Sequence, residues 1–249
     1  MLKLRNLLAV ASLAVLTVVS APTSSAGIAT PNAVASIQPA GQTVGVAHPI
    51  TVTFTQPVDD RQAAERAFGV SAPSMPISTQ QGTFSWLDDR VLQWTPDEYF
   101  PAHSTITVTA GDAKASFQTG STVLAVADID AHTFTVSVDG EVVREMPASM
   151  GKSGFATPKG SFTVLEKQSP VIMDSRTIGI PLDDPEGYKL TVYYAVRINW
   201  GGVYVHSAPW STGSQGYENV SHGCINLSPD NAAWYYDMVS LGDPVIVQA

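Results

Sequence analysis

Thr133-Phe134-Thr135-Val136-Ser137-Val138-Asp139-Gly140-Glu141-Val142-Val143 decides the architecture. Phe134, Val136 and Val138 alternate with hydroxyl residues. A period of two puts the apolar side chains on one face of a strand. Asp139-Gly140 favours a type I′ turn, so the chain returns through Val142 and Val143 as a hairpin. Downstream, Tyr193 to Trp200 and Val203 to His206 flank Gly201-Gly202, a second hairpin pattern. Upstream, the alternation recurs at Ile50, Val52 and Phe54, at Leu92 and Trp94 before Pro96, and at Ile106 and Val108. Turn residues separate these runs, and only Arg61–Phe68 has room for a short helix there. Short strands at such spacing predict an immunoglobulin-like β-sandwich over 27–120, with 27–47 as its leader. A boundary at Gly120-Ser121 opens a second β domain over 121–249. One helix is expected in it: Ser228 as N-cap, Pro229 at the first position, Asp230 against the dipole, and Gly242 just past the end. Val245 to Val247 forms a last strand.

The composition narrows the function. Charged residues make up 14% and hydrophobic ones 44%, which excludes a disordered chain. The net charge of −9 and the lack of a basic tract exclude a nucleic-acid footprint. Lys3 and Arg5, an apolar run from Leu7 to Val19, and Ser24-Ser25-Ala26 together read as a secretory signal over 1–26. An uncleaved anchor is the alternative, but the run is short for a span of roughly 20 apolar residues. Losing the two cations of this segment lowers the charge to −11. The expected location is therefore outside the membrane, in the periplasm or cell wall, touching the membrane only if the N-terminal segment is retained.

The sequence has one cysteine, Cys224, so no disulfide can close within the chain. An exported lone thiol is either buried and inert or kept for reactivity. Cys224 lies in Ser221-His222-Gly223-Cys224-Ile225-Asn226, and His206 ends an expected strand 18 positions earlier. A thiol needs a neighbouring base to act as a nucleophile at neutral pH, and both His206 and His222 qualify by type. Three N/S ligands from His206, His222 and Cys224 also fit a zinc centre, although no paired Cys or His-Glu motif accompanies them. Nucleophile, zinc site and inert structure all remain open from these residues alone.

The segment resembles the signature of the L,D-transpeptidase family with its YkuD-type catalytic domain: a His, a gap, then Ser-His-Gly-Cys-x-Asn. His206, Ser221, His222, Gly223, Cys224 and Asn226 hold every fixed position. Met150-Gly151-Lys152, Thr157 to Phe162, Met173 to Arg176, Tyr204 to Trp210 and Ser228 to Trp234 agree with the mycobacterial type that carries one immunoglobulin-like domain. The resemblance implies an all-β protein whose second β-sandwich is the catalytic domain. It implies Cys224 as nucleophile and His206 as base, with the Ser207 carbonyl orienting the ring. His222 would support the site, and amides near Gly223 and Cys224 would form an oxyanion hole. Tyr188 would lie on a covering loop, Gly201 and Gly202 at a substrate-contacting rim, and Asn226 and Ser221 against substrate. Met173 and Trp210 would be apolar walls. The implied substrates are peptidoglycan stem peptides, a donor tetrapeptide and an acceptor amine, joined 3→3 by a monomer without metal or organic cofactor. β-Lactams of the carbapenem type would acylate the same thiol. Hydrolysis of the same acyl-enzyme, an L,D-carboxypeptidase, and a non-catalytic wall-binding module are the competing readings.

Overall fold

The computed structural model describes residues 33–73 and 81–249. The expected signal segment over 1–26 lies outside the described residues. Eight strands and one helix make up the first domain as described: β1 (Val34–Gln38), β2 (Thr43–Val44), β3 (Ile50–Phe54), α1 (Arg61–Arg66), β4 (Phe68–Ser71), β5 (Gly82–Trp86), β6 (Val91–Pro96), β7 (Thr105–Ala110) and β8 (Ala113–Thr119). They form two sheets, ordered β1-β3-β6-β5 and β2-β8-β7-β4. The alternation expected at 50–54 is realised: Ile50, Val52 and Phe54 are buried and the threonines between them are half-buried. With Leu92, Trp94, Ile106, Val108 and Phe117 they form one core between the sheets. Each such side chain stabilises the fold by about 1.5–3 kcal/mol relative to exposure. Asp60 starts α1 by accepting from the Ala63 amide at 2.9 Å.

The expected leader is a correction. Val34–Gln38 and Thr43–Val44 are strands of the sandwich rather than a lead-in. A register shift between Val34 and Ser36, where β1 pairs with β3, breaks the period of two and hides the strand from a pattern reading.

The second domain holds β9 (Val123–Asp128), β10 (Thr133–Val138), β11 (Glu141–Pro147), β12 (Gly160–Thr163), β13 (Glu166–Gln168), β14 (Val171–Asp174), β15 (Lys189–Val192), β16 (Ala195–Arg197), β17 (Tyr204–Ser207), β18 (Ile225–Leu227), α2 (Pro229–Met238) and β19 (Pro244–Gln248). One sheet runs β11-β10-β9-β19-β12 and another β13-β16-β17-β18, while β14 and β15 pair only with each other. The β10–β11 hairpin turns at Asp139 and Gly140, whose φ values of 49° and 91° suit a type I′ turn. The second expected hairpin is shorter than the pattern suggested. Its first strand is Ala195–Arg197, because Tyr194 takes φ 53° and bends the chain before it. The two sheets share a core of Phe134, Val136, Met146, Val205, Ile225, Leu227, Val245 and Val247. α2 covers it through Ala232 and Tyr235, with the Tyr235 ring edge-on to Phe134 at 4.8 Å. Ser228 caps α2 through the Asn231 amide.

Gly242 has a different role from the expected helix stop. α2 ends at Met238 with Val239 already extended. Gly242 sits in the next turn, where its carbonyl accepts from the Ala47 amide at 2.9 Å and its own amide donates to the Val164 carbonyl at 2.8 Å. The Gly45 amide likewise donates to the Leu241 carbonyl at 2.8 Å. Main-chain bonds therefore bolt the two domains together.

Asp243, beside this seam, is 2% exposed and accepts from the Ser240 amide at 2.7 Å. Burial pushes its carboxyl up to about 7, only partly opposed by that amide and by Lys167. A raised carboxyl favours the fold while protonated, so stability is full below the unfolded value of 3.8 and falls as pH rises to about 7. His206, held at about 4, works in the opposite sense over the same range, so the Asp243 contribution is read as a difference: between pH 4 and pH 8 the wild type is expected to lose roughly 2–4 kcal/mol relative to Asp243→Asn in urea unfolding. A difference that does not change with pH would contradict the burial argument.

Candidate active site

The site is built where β17 and β18 run parallel, with His206 opposite Asn226 and Ser207 opposite Leu227. Every residue of both strands is buried, so their apolar members fix the backbone that carries the polar ones. Cys224 immediately precedes β18. Its thiol shares a cavity of about 350 Å³ with Met173, Tyr188, His206, Trp210, Ser221, His222 and Asn226.

His206 Nδ1 lies 2.9 Å from the Ser207 carbonyl oxygen. A carbonyl only accepts, so Nδ1 carries the hydrogen and Nε2 keeps a lone pair, the atom a base needs. Burial pulls the imidazole down to about 4, with the Ser207 bond acting the other way. Burial also pushes the Cys224 thiol up to about 11, against the smaller pulls of the Tyr204 backbone and the Arg197 charge. The resting pair is therefore thiol and neutral imidazole.

Gly223 has φ 117°, a conformation that L side chains rarely adopt, while a Cβ there would meet its nearest atom only at 3.6 Å. Glycine is required by the backbone angle and not by crowding. The loop is then fastened on both sides. The Thr157 hydroxyl donates to the Gly223 carbonyl at 2.9 Å, and the Ser221 hydroxyl donates to the Cys224 carbonyl at 2.6 Å. The Gly223 amide donates to Ser221 Oγ at 3.0 Å. That amide is therefore engaged within the loop itself. Ser221 is likewise a brace of the loop, although it also lines the cavity.

The two histidines part company in their surroundings. His222 Nε2 lies 2.8 Å from Glu186, and its ring sits between Phe155 at 4.7 Å and Tyr188 at 5.0 Å. Its outer nitrogen is occupied, whereas Nε2 of His206 is not paired among the described residues. Tyr188 keeps its proton, because burial and then the nearby Cys224 raise its hydroxyl. Asn226 is buried, and its amide nitrogen donates to Ser211 Oγ at 3.1 Å, so part of its capacity braces the wall. Trp210 is half-exposed at the mouth, 6.0 Å from the His206 ring. The Gly202 carbonyl lies 3.8 Å from Cys224 Sγ. Gly201 falls elsewhere, in a separate cleft of about 740 Å³ lined by Gln93, Thr95 and Tyr99 of the first domain and Phe162 and Trp200 of the second. That larger cleft holds none of the motif residues. Among the described residues no group of three or more His, Cys, Asp or Glu is placed to hold a metal ion.

Glu186, Lys152, Phe155 and Thr157 shape the site and were not expected there. Lys152 and Thr157 stood within family-like stretches, but nothing local marked what they touch. Glu186 stands two residues before Tyr188, and only the folded loop shows which partners it meets.

A β-sandwich that holds a lone cysteine beside a carbonyl-anchored histidine defines a class of cysteine acyltransferases. The match to known proteins is specific. Residues 122–247 match the L,D-transpeptidase catalytic domain, and 17–113 match a bacterial Ig domain. L,D-transpeptidase 1 of Mycobacterium tuberculosis is 56% identical over 215 residues, covering 86% of this chain and 84% of the relative. An L,D-transpeptidase structure from Mycobacterium smegmatis superposes with a TM-score of 0.84 at 68% identity, covering 88% of this chain and all of that one. An L,D-transpeptidase solved in complex with imipenem superposes at 0.81 with 55% identity, covering 87% and 99%. The chain belongs to the L,D-transpeptidase family, and it is a cysteine-dependent peptidoglycan L,D-transpeptidase.

Proposed function

We propose that Cys224 and His206 carry out acyl transfer between peptidoglycan stems. Cys224 Sγ attacks the carbonyl of the third residue of a tetrapeptide stem, a diaminopimelate-type centre, while its proton passes to His206 Nε2. The Cys224 amide donates to the developing oxyanion. The bond to D-Ala breaks, and His206 returns the proton to the departing amine. The thioester is then attacked by the side-chain amine of a second stem. His206 takes that amine's proton, the thiol re-forms, and the product is a 3→3 cross-link. The observation that carries this reading is the Nδ1 bond from His206 to the Ser207 carbonyl, which leaves Nε2 free in the cavity that holds the thiol.

Met173 and Trp210 serve as apolar walls, Tyr188 as the cover, and Gly202 and Asn226 as contacts of the bound stem. Residues 1–26 act as an export signal, residues 27–120 as the immunoglobulin-like domain and 121–249 as the catalytic domain. The enzyme acts in the periplasm or cell wall as a monomer. The relative solved with imipenem supports acylation of Cys224 by carbapenems. A bulky acylamino group would clash with a cover built from Tyr188 and Trp210, so penicillins acylate it far more slowly.

Purified disaccharide-tetrapeptide tests the reading. Dimer with free D-Ala is expected. Tripeptide alone would make the protein an L,D-carboxypeptidase, and no product from folded protein would favour a wall-binding module.

A further inference from the structure

The loop between β14 and β15, residues 175–188, carries Tyr188 across the thiol cavity. Its hydrogen bonds are almost all internal. The Ser175 amide donates to the Tyr188 carbonyl at 2.9 Å, the Tyr188 amide to Ser175 Oγ at 3.0 Å, and the Gly187 amide to the Asp184 carbonyl at 2.8 Å. The hairpin that bears the loop belongs to neither larger sheet. Among the described residues, Arg176 and Thr177 bond only to Asp174 of β14, and Glu186 is the only member of this loop hydrogen-bonded beyond the β14–β15 hairpin itself. Its carboxylate accepts from Lys152 Nζ at 2.8 and 2.6 Å and lies 2.8 Å from His222 Nε2.

Both partners stand on fixed ground. The Lys152 amide donates to the Ser221 carbonyl at 3.0 Å, and Thr157 of the same segment holds Gly223. The loop is thus the movable piece, and Glu186 is its link. The Lys152 ammonium, and next the His222 bond, hold the Glu186 carboxyl below its ordinary value, so the link stays charged.

We propose that Glu186 is a positioning residue that clamps the Tyr188 loop over the acyl-enzyme and so favours transfer to an amine over loss to water. The proposal rests on the acyl-enzyme reading above. A thioester carbonyl attacked by an amine gives the amide and free thiol; attacked by water it gives the acid and the same thiol. A closed cover excludes water while the acceptor stem occupies the remaining opening. Loosening the cover changes the partition more than it changes the first attack.

The test compares wild type, Glu186→Gln and Glu186→Ala on purified disaccharide-tetrapeptide, reading dimer against tripeptide, with single-turnover acylation followed by intact mass. In Glu186→Ala the dimer-to-tripeptide ratio is expected to fall about tenfold, with acylation slowed less than about fivefold. Glu186→Gln keeps the shape and should fall in between. Lys152→Met, which removes the anchor from the other side, should lower the ratio even if a Glu186 variant folds poorly. An unchanged ratio in the folded variants, with an active wild type, overturns the clamp alone. A wild type that yields neither product overturns the acyl-transfer reading and the clamp with it.

Discussion

His206→Ala is expected to slow acylation of Cys224 by about 10²–10⁴, the usual scale for a lost general base. That corresponds to roughly 2.7–5.5 kcal/mol of lost barrier lowering. The pH dependence separates this role from a structural one. With the imidazole held near about 4 and the thiol near about 11, the neutral pair is present across the whole neutral range. Wild-type acylation should therefore be level from about pH 5.5 to pH 9 and fall only as His206 becomes protonated below that range. Without the imidazole, attack must wait for ionised thiol, so the alanine variant should climb with pH. His222→Ala should lack this change of profile, because its Nε2 faces Glu186 and not the thiol. Stopped-flow acylation by a chromogenic β-lactam across that pH range checks all three. A level profile in His206→Ala, with a steep one in His222→Ala, would reverse the assignment.

Gly242→Ala should destabilise the protein by about 2–5 kcal/mol. Two costs add at this one position. Gly242 has φ 86°, where a side chain costs roughly 1–2 kcal/mol. Its Cβ would also fall 2.3 Å from the His48 Cβ and 2.6 Å from the His48 Cα, and overpacking of this kind costs about 1–3 kcal/mol. The His48 backbone cannot swing aside as a flexible side chain would. The Ala47 amide beside it also holds the Gly242 carbonyl. A melting temperature lower by about 5–15 °C is expected for a chain of this size. Gly140→Ala is the control: it also has positive φ, but nothing lies within 4 Å of its Cβ, so only the smaller backbone cost applies. Equal losses in the two variants would show that the seam between the domains contributes little.

What the sequence disclosed follows from the range of the forces involved. Strand faces such as Ile50-Val52-Phe54 and Phe134-Val136 are legible because the period of two is local. The turn at Asp139-Gly140 and the cap at Ser228 are local as well. The strand at Val34–Gln38 was hidden because a bulge breaks the alternation it would have shown. Gly242 could be read as a turn glycine, but its true partner, His48, is almost two hundred residues away in sequence. In the site, Cys224 and His206 stood out through residue type and family resemblance. Three features could not be read. They are the engagement of the Gly223 amide by Ser221, the Glu186 contacts to Lys152 and His222, and the separation of Gly201 from the thiol cavity. The Glu186 contacts join segments more than thirty residues apart that no local pattern connects, while the Ser221–Gly223 bond depends on a loop conformation the residue types alone do not specify.

Intact-mass spectrometry of the protein incubated with imipenem tests the central claim most directly, because it reads the covalent bond on the one cysteine. A single stoichiometric adduct is expected on the wild type, absent from Cys224→Ser and formed slowly in His206→Ala. Folded wild-type protein that gains no mass, or an adduct that persists in Cys224→Ser, would contradict the assignment of Cys224 as the acylated nucleophile.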